Sequence, residues 1–526
     1  MTNSIADLEE SDCFLIIGSN TTENHPLVAR RIIIAKERGA KVIVADPRRT
    51  HIAQMADLIL SQRPGSDVAL LNGMMNVILR DGLQDDQFIK NRTKNFEEFK
   101  KVIDQYPPER ASEISGVPVT DIVQAAHLYG KAAAAAVVYC MGITQHTSGV
   151  DNVKSCANLA MITGNLGRPG TGVNPLRGQN NVQGACDMGA LPNVLTGYQP
   201  VLDDTKRAGV EQVWACHILA KVGLTVTGMI DAAASGDLKG LYIMGENPVL
   251  SDPDAAHVRE ALAKAEFLIV QDIFNTETAQ YADVVFPAAC FAEKDGTVTN
   301  TERRVQRMYQ AVAPPGQALP DWEIITKLAK RMGVNGFDFD TIEAVYDEAR
   351  SVTPQYKGIT YQRLGVAGLQ WPCPNEEHPG TPILHGGAFT RGLGALSPIE
   401  YRAPAEEPDV EYPFVLTTGR SYFHFHTGTM SRRSATLNRE VSGPYVEINP
   451  ADAQRLSVNE GVSVRVFTRR GTITLPARVT NRVPEQVVFI PFHFVEASAN
   501  ELTNPALDPT AKIPEFKVCA AYVEPA

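Results

Sequence analysis

Short apolar runs alternate with helix-period segments in the first part of the chain, and this alternation constrains the fold more than any other feature. Residues 13–18 and 41–46 are almost continuously apolar and predict strands, and residues 25–38 between them predict a helix. Strands without a polar side suit a parallel sheet that is covered on both faces. The sequence therefore predicts that the fold begins with a βαβ unit.

The alternation continues beyond this unit and predicts a second α/β unit. Further strands are predicted at 135–140, 240–245, 267–271 and 282–287, and further helices at 68–80, 153–162, 255–265 and 322–332. Residues 141–144 are predicted to form a turn. The Gly-, Asn- and Pro-rich residues 164–189 are too irregular for an element and too long for an ordinary connection, so we expect a functional loop there.

The pattern changes in the last quarter of the chain. Residues 462–466 and 473–479 alternate strictly around a turn at 469–471, and residues 414–418, 445–448 and 486–491 also have strand character. This pattern predicts an all-β domain, in the form of a barrel. We therefore predict one α/β unit at 1–175, a second at 176–355, a Gly- and Pro-rich linker at 356–412 and the barrel at 413–526.

Composition and charge exclude several classes of protein. The chain has 526 residues and a formal net charge of −11, which repels a phosphate backbone, so we expect no nucleic acid partner. Its eight cysteines form no C-x-x-C or C-x-x-x-C pair, which argues against an iron–sulfur or zinc site and favours a reducing, cytoplasmic compartment. We expect neither a signal peptide nor a membrane span in this sequence.

Polar residues come directly after predicted strands in both α/β units. Gly18-Ser19-Asn20 precedes a helix, which can hold a phosphate on free amides, and Asp46 ends the next strand, where it could accept from ribose or base donors. Such turns occur in any doubly wound sheet, and the full G-x-G-x-x-G fingerprint is absent. Gly245 and Asp272 repeat the arrangement. They predict a second nucleotide or a structural echo of the first site, and Asp272 alone could merely cap the next segment.

Arg177 precedes a run of amide side chains, GQNNVQG at residues 178–184. A fixed cation beside several amides is costly to desolvate without a ligand, although an irregular polar loop can also hydrogen-bond to itself. His424 and His426 lie two residues apart after Arg420, but no third metal ligand accompanies them. Contacts to a large ligand, or surface exposure, explain this pair better than zinc does.

The runs GNLGRPGTGVNP at 164–175 and LRGQNNVQGACDMG at 176–189 carry a family resemblance. They closely resemble the formate dehydrogenase branch of the dimethyl sulfoxide reductase superfamily. Further landmarks occur in order, namely His25-Pro26, Ala45-Asp46-Pro47-Arg48, Met244-Gly245-Glu246-Asn247-Pro248, Gln271-Asp272, Asp321-Trp322 and Asn500-Glu501-Leu502. The resemblance extends from Met1 nearly to Ala526.

The resemblance implies a molybdenum or tungsten ion held by two molybdopterin guanine dinucleotides, one in each Rossmann-like α/β unit, beneath a C-terminal barrel of the double-psi type. The positions implied around the first dinucleotide are Gly18, Asn20, Asp46, Arg48, Gly65, Asp67, Met141, Gly142 and Gln145. Those implied around the second are Gln179, Gly245, Glu246, Asn247, Gln271, Asp272 and Asp321. The barrel is expected to close over both with Arg420, His424, His426, Asn500, Phe516 and Lys517.

The resemblance also implies a reaction. In this family an arginine at the position of Arg177 binds the formate carboxylate, a task for which its planar guanidinium is suited. Formate would be oxidised to carbon dioxide, and two electrons would pass through a pterin to a [4Fe-4S] cluster and on to an iron–sulfur or flavoprotein subunit. The alternatives are a metal-free structural subunit of the same fold and another oxidoreductase of this type, such as a nitrate reductase.

One departure from the family concerns the metal's surroundings. The cluster-binding cysteines, the cysteine or selenocysteine that ligates the metal and a neighbouring histidine precede the region that matches Met1. We therefore expect an N-terminal iron–sulfur segment, on which an export signal could also lie, as a partner of this chain. One hypothesis for the start at Met1 is that an upstream selenocysteine codon was read as a stop signal. The alternative is a split gene whose two products reassemble.

Overall fold

The computed structural model describes all 526 residues, Met1–Ala526. The strands are β1 (Cys13–Ile17), β2 (Lys41–Ala45), β3 (Leu58–Leu60), β4 (Thr93–Lys94), β5 (Ala135–Tyr139), β6 (Gly172–Pro175), β7 (Val194–Leu195), β8 (Gln199–Pro200), β9 (Gly240–Met244), β10 (Phe267–Asp272), β11 (Val284–Pro287), β12 (Gly296–Thr299), β13 (Arg304–Met308), β14 (Leu369–Gln370), β15 (Gly394–Ala395), β16 (Phe414–Gly419), β17 (Val446–Ile448), β18 (Ser463–Phe467), β19 (Thr472–Val479), β20 (Val487–Pro491) and β21 (Cys519–Pro525).

The helices alternate with these strands through the first two thirds of the chain. They are α1 (Thr21–Asn24), α2 (Pro26–Glu37), α3 (Asp67–Arg80), α4 (Asp86–Arg92), α5 (Phe96–Ile103), α6 (Pro108–Ser115), α7 (Val119–Gly130), α8 (Met141–Thr144), α9 (Gly149–Ile162), α10 (Val182–Asp187), α11 (Asp204–Trp214), α12 (Val226–Ser235), α13 (Pro248–Ser251), α14 (Ala255–Lys264), α15 (Asp321–Arg331), α16 (Ile342–Ser351), α17 (Tyr361–Leu364), α18 (Ala435–Glu440) and α19 (Pro450–Arg455). None of them is long and apolar enough to cross a bilayer.

The chain divides into two compact units. Unit 1 comprises Met1–Gly178 and Ile383–Ala526, and unit 2 comprises Gln179–Pro382. Unit 1 contains a five-stranded sheet with the order β3-β2-β1-β5-β6, in which every neighbouring pair is parallel. A parallel α/β fold is therefore confirmed for the first part of the chain.

Alternate residues of the central strand β1 serve two separate cores. Leu15 and Ile17 belong to one apolar cluster, whereas Phe14 and Ile16 belong to the cluster on the opposite face. Successive side chains of a strand point to opposite faces, so a strand that is apolar throughout must be covered on both sides. The covered sheet predicted from this pattern is confirmed.

The C-terminal part of unit 1 contains a closed barrel of six strands in the order β16-β20-β17-β19-β18-β21. Val464 and Val466 of β18 face a core that also contains Ile473 and Leu475 of β19, as the alternation predicts. The barrel closes through β21, which pairs with β16 and β18. The sequence analysis did not predict this last strand.

Unit 2 contains a smaller parallel sheet, of order β11-β10-β9. Leu268 and Val270 of β10 pack on one face of this sheet in a core with Val258 and Leu262 of α14. The other face is open, with Tyr242 41% exposed. The apolar character of these strands was recognised in the sequence, but the uncovered face was not.

The prediction that residues 164–189 lack regular structure is wrong. Gly172–Pro175 forms β6, which pairs with β5 at the edge of the first sheet, and Val182–Asp187 forms α10. An edge strand tolerates Pro175, because a proline without an N–H can lie where no neighbouring strand requires the bond. The predicted turn at 141–144 is likewise a single helical turn, α8.

Candidate functional site

The carboxyl ends of β1, β2 and β5 meet at one edge of the first sheet. The strand order runs from β1 through β2 to β3 on one side and from β5 to β6 on the other, so its direction reverses between β1 and β5. In such sheets ligands bind beyond the carboxyl ends of the strands, at the place where the strand order reverses. The Gly18 amide donates to the Ala45 carbonyl at 3.0 Å, and the Gly142 amide donates to the Gly18 carbonyl at 3.0 Å. A Cβ at Gly18 would lie 2.6 Å from the Gly142 carbonyl carbon, so the three strand ends approach closely only because both residues are glycine.

An open cleft lies against these strand ends within unit 1. Its walls contain many of the residues that the family resemblance associates with the first dinucleotide and the barrel, namely Gly18, Asn20, Asp46, Arg48, Gly65, Asp67, Met141, Gly142, Arg420 and Lys517. Residues more than 300 positions apart in sequence thus share one cleft. Their contact with a cofactor remains a prediction.

The cleft contains carboxyl groups and cations that are poorly hydrated. Burial raises the pKa of Asp46 and of Asp67 to about 6 each, and lowers the pKa of Lys517 to about 8. Each group still has a partner: Asp46 Oδ1 accepts from the Arg48 amide at 2.9 Å, Asp67 Oδ1 accepts from Gln62 Nε2 at 3.0 Å, and Lys517 Nζ donates to the Thr418 carbonyl at 2.7 Å. Ionisable groups with pKa values moved towards neutrality are typical of binding sites.

Several buried polar atoms of the cleft residues have no hydrogen-bond partner. They are Asn20 Oδ1, Asn24 Oδ1, Thr50 Oγ1, Gln62 Oε1 and His146 Nδ1. A buried polar atom without a partner costs roughly 1–3 kcal/mol, so a cluster of them fits a site that a polar ligand completes. A nucleotide with its base, ribose and phosphates has the donors and acceptors that these atoms lack.

Sequence reasoning missed part of this cleft. The additional lining residues are Asn24, Pro47, Thr50, Gln62, Pro64, Cys140, His146, Thr417, Thr418, Gly419, Phe489 and Phe492. Pro47, Pro64 and Cys140 are next in sequence to the predicted residues Asp46, Gly65 and Met141, so they could have been found by considering the immediate neighbours of each predicted residue. Thr417 to Gly419 end barrel strand β16, and no local pattern indicates which barrel strand faces the cleft.

Arg48 has a protein partner as well as a place in the cleft wall. Its Nε and Nη2 donate to Glu447 Oε2 and Oε1, both at 2.7 Å, and its guanidinium carbon lies 3.8 Å from the centre of the Phe489 ring. Arg48 is 7% exposed and Glu447 is fully buried. The main role of this arginine in the structure is therefore to join the end of β2 to barrel strands β17 and β20.

Other predicted residues of unit 1 do not line the cleft: Gln145, His424, His426, Asn500 and Phe516. The buried ring of His424 bonds to the Val441 carbonyl at 2.7 Å and to Ser431 Oγ at 3.2 Å, and its own carbonyl accepts from Arg420 Nη2 at 3.2 Å. The buried His424 thus helps to hold the Arg420 side chain in place through its backbone carbonyl. No group of His, Cys, Asp or Glu side chains in the structure is arranged to hold a metal ion.

Arg177 comes after the edge strand β6 and lies at the same edge of the sheet as the strand ends of the cleft. The Leu176 amide donates to the Tyr139 carbonyl at 2.8 Å, which continues the β6 register. Nε2 of His25 lies 2.7 Å from the carbonyl oxygen of Arg177 and donates to it. Since burial lowers the pKa of His25, this imidazole is neutral at pH 7 with its proton on Nε2. The Arg177 side chain itself is exposed.

The strand ends of unit 2 repeat the geometry found in unit 1. The Gly245 amide donates to the Gln271 carbonyl at 2.9 Å, as Gly18 does to Ala45, and both glycines have positive φ, 65° and 57°. Asp272 Oδ1 accepts from the amide two residues further on, Phe274, at 3.0 Å, as Asp46 does from Arg48. Asp272 therefore closes the turn after β10. The same is true of Asp46, which also lines a cleft, so turn closure does not exclude ligand binding.

Polar contacts connect most of the remaining predicted residues of unit 2. Gln271 Nε2 donates to Asp321 Oδ1 at 2.7 Å, and Lys294 forms an ion pair with the other oxygen of Asp321. Asn247 Nδ2 donates to Glu277 Oε2 at 2.8 Å, and Asn247 Oδ1 accepts from Thr278 Oγ1 at 2.7 Å. Glu246 is exposed and Gln179 is half-buried.

Asp321 also lines a second cleft, which lies wholly within unit 2. Amide side chains of the turn before α10, Asn180 and Asn181, form part of its wall, and Trp322, Tyr346, Tyr361 and Phe291 give it an aromatic lining. Asp321 is a predicted site residue, and the two asparagines belong to the amide run found in the sequence. The structure thus brings these two motifs of unit 2 together.

Comparison with known proteins assigns the chain to a family. Residues 1–331 match the family Molybdopterin oxidoreductase, and residues 414–520 match the family Molydopterin dinucleotide binding domain. The chain is 57% identical over 527 residues to the F420-dependent formate dehydrogenase subunit alpha of Methanocaldococcus jannaschii, covering 100% of this chain and 78% of that protein. It is 39% identical over 532 residues to formate dehydrogenase H of Escherichia coli, covering 100% and 74%.

A solved structure has the same fold. The acetylene hydratase from Pelobacter acetylenicus superimposes with a TM-score of 0.77, covering 99% of this chain and 81% of that one, at 20% sequence identity. This likeness concerns the fold alone. The family matches over both α/β parts and the barrel, together with the identity to the M. jannaschii protein, lead to one conclusion: the chain belongs to the molybdopterin oxidoreductase family and is related to formate dehydrogenase alpha subunits.

Proposed function

We propose that this protein oxidises formate to carbon dioxide, as a catalytic subunit that holds two molybdopterin guanine dinucleotides with molybdenum or tungsten. The observation that carries the proposal is the 57% identity to a protein named as a formate dehydrogenase alpha subunit, along the whole of this chain. The residues of the two units support it in three ways, which concern the first dinucleotide, the second dinucleotide and the substrate.

The cleft of unit 1 fits one dinucleotide. The cations Arg420 and Lys517 can neutralise its phosphates, and the carboxyl groups of Asp46 and Asp67 can accept hydrogen bonds from a guanine base or a ribose. The buried polar atoms without partners in the same walls are the further donors and acceptors that such a ligand requires. When bound, the cofactor supplies the two-electron chemistry, which protein side chains alone cannot perform.

The repeated strand-end geometry supports a second dinucleotide in unit 2. A glycine with positive φ and an aspartate that closes the next turn recur in the same relative positions, at Gly18 and Asp46 and again at Gly245 and Asp272. The turns at the carboxyl ends of parallel strands are a common phosphate site. We assign Gly245, Glu246, Asn247, Gln271, Asp272 and Asp321 to it, with Gln179.

Arg177 is the residue proposed to bind formate. Its side chain is exposed, while its backbone is held by His25 and by the β6 register. A guanidinium forms two parallel hydrogen bonds to a carboxylate and so orients formate before the electrons leave its carbon. The electrons would pass to an iron–sulfur or flavoprotein partner, and coenzyme F420 is the acceptor suggested by the name of the M. jannaschii relative.

The proposal is tested on protein purified together with its partner segments from cells that make the cofactor. Acid treatment should release about two guanine nucleotides per molybdenum or tungsten. The protein should reduce a dye with formate and should not oxidise a reduced dye with nitrate. Metal without guanine would contradict the assignment of the cofactor, and nitrate reduction without formate oxidation would contradict the assignment of the substrate.

A further inference from the structure

A fully buried carboxylate in unit 2 accepts hydrogen bonds from four side chains. Asp187, the last residue of α10, is 0% exposed. Its Oδ1 accepts from Gln183 Nε2 and from the Tyr198 hydroxyl, each at 2.8 Å. Its Oδ2 accepts from the Tyr356 hydroxyl at 2.5 Å and from Trp371 Nε1 at 2.8 Å. We call Asp187 with these four donors the Asp187 hub.

The hub connects parts of unit 2 that are distant in sequence. Gln183 lies on α10 itself, whereas Tyr198, Tyr356 and Trp371 lie 11, 169 and 184 residues away. Burial raises the pKa of Asp187, and the four donors oppose that rise. Because both oxygens are surrounded by donors, the arrangement suits the ionised carboxylate, which accepts at every position.

The hub also reaches the amide-bearing turn that precedes α10. The Tyr356 hydroxyl bonds to Thr299 Oγ1 at 2.9 Å, and the Thr299 amide donates to Asn181 Oδ1 at 2.9 Å. Asn181 adopts a positive φ of 59°, and its side-chain oxygen occupies the space that a Cβ on Gly184 would need. The turn is therefore fastened at both ends, through Asn181 at its start and through Gln183 and Asp187 in α10.

This turn forms part of the wall of the unit 2 cleft. Asn180, Asn181 and Gly184 line the cleft together with Lys294 and Asp321, and Asp187 lies behind that wall without lining it. Rigid support behind a binding wall determines how well its donors and acceptors are placed before the ligand arrives. Neither the family match nor the strand-end geometry assigns this supporting role to Asp187.

We propose that Asp187 is a positioning residue. Its four hydrogen bonds hold the turn at residues 180–181 and the start of α10 on the wall of the unit 2 cleft, and so determine the affinity of unit 2 for a guanine nucleotide. This inference rests on the proposed function for the identity of the nucleotide. The fastening of the turn by the hub is independent of that function. The two parts can therefore be measured separately on the full chain.

Hydrogen–deuterium exchange of the full chain tests the fastening. In Asp187→Ala the four donors lose the carboxylate that joins them, although Gln183 Nε2 keeps the Tyr198 hydroxyl at 3.0 Å. We expect backbone amides of residues 181–187 to exchange about tenfold faster or more. Asp187→Asn should retain most of the protection, because Tyr198 can turn its hydroxyl and Gln183 can turn its amide to accept from the new NH2 group. Equal exchange in the wild type and Asp187→Ala would overturn the proposal.

Calorimetric titration with GDP tests the consequence. Asp187→Ala should weaken binding in unit 2 about tenfold or more, and Asp187→Asn should restore most of the affinity. The site in unit 1, identified by its weaker binding in Asp67→Asn, should be unaffected. If Asp187→Asn binds as weakly as Asp187→Ala, charge rather than hydrogen-bonded positioning is responsible and the proposal fails.

Two controls separate the hub from general damage. Asp203→Ala removes another carboxylate of unit 2, one that caps α11 by accepting from the Thr205 and Lys206 amides, and it should change neither exchange at 181–187 nor GDP affinity. If Asp187→Ala does not fold, Tyr356→Phe and Trp371→Phe each remove one donor, and unchanged exchange in both would overturn the proposal. A wild-type chain that binds no GDP in unit 2 contradicts the proposed function, while exchange still decides the fastening.

Discussion

Arg48 and Glu447 form a buried ion pair through two parallel hydrogen bonds of 2.7 Å, although 399 residues separate them in sequence. The pair joins the end of β2, in the parallel sheet of unit 1, to β17 of the barrel. Arg482 lies 3.8 Å from the same carboxylate and adds a second cation to it. The cleft of unit 1 lies beside this junction, since Arg48 and its stacking partner Phe489 both line it.

Removing Glu447 should destabilise unit 1 severely. Glu447→Ala leaves the buried guanidinium of Arg48 without its partner, and the loss of one member of a buried pair costs about 3–5 kcal/mol. Urea denaturation monitored by circular dichroism measures the free energy of unfolding. Glu485→Ala, at an exposed glutamate of the barrel, serves as the control and should change it by less than about 0.5 kcal/mol. A small effect of Glu447→Ala would show that the pair does not hold the junction.

The two strand-end glycines should respond differently to alanine. Both have positive φ, but a Cβ at Gly18 meets Gly142 backbone at 2.6 Å, whereas a Cβ at Gly245 meets no atom within 4 Å. Gly245→Ala should cost only the conformational strain, roughly 1 kcal/mol. Gly18→Ala should cost at least about 2 kcal/mol more, because backbone must move. Equal losses in thermal unfolding would contradict the close approach of β1 and β5 at their ends.

Asp67→Asn should stabilise the protein without added nucleotide at neutral pH, and it should weaken nucleotide binding. The pKa of Asp67, about 6, lies above the unfolded value near 4. Its contribution to stability is therefore fully present below pH 4 and is lost as the pH rises through 6. At pH 7.5 the variant should exceed the wild type by at most roughly 3 kcal/mol, with the difference vanishing near pH 4.

The measurement for Asp67 is a series of thermal or urea denaturations between pH 4 and 8. The asparagine side chain of the variant keeps an oxygen for Gln62 Nε2 and so preserves the local hydrogen bond, which means that the pH dependence isolates the charge. A difference between variant and wild type that stays constant across this range would contradict the raised pKa. GDP titration at pH 7.5 should show weaker binding in unit 1, since stability and binding oppose each other at such a site.

Arg177→Lys should lower formate turnover far more than cofactor content. Lysine keeps the charge but loses the paired hydrogen bonds to a carboxylate, and one charge-assisted hydrogen bond corresponds to roughly ten- to a hundredfold in rate. Turnover per bound metal is the quantity to compare, with Arg30→Lys at an exposed position of α2 as the matched control. Unchanged turnover per metal would mean that Arg177 does not bind the substrate.

Local patterns were sufficient for much of the fold. The continuous apolar strands at 13–18 and 41–46 predicted a sheet covered on two faces, and Phe14 and Leu15 do serve opposite cores. The alternation at 473–479 predicted a barrel strand with one buried side. The irregular composition of 164–189 led to a wrong prediction, because the local sequence has only a weak preference for regular structure. Pairing with β5 produces β6, and the hydrogen bonds of Asp187 support α10.

The sequence by itself determined which residue types stand at the ends of the parallel strands, because glycine turns and terminal aspartates depend on backbone geometry that acts over a few residues. Gly18, Asp46, Gly245 and Asp272 could be named for that reason. Only the tertiary structure decided that Lys517 and Arg420 share a cleft with Asp67, that Arg48 is paired with Glu447, and that Asp187 joins Tyr356 to Trp371. These relationships depend on packing between segments hundreds of residues apart, which no local periodicity records.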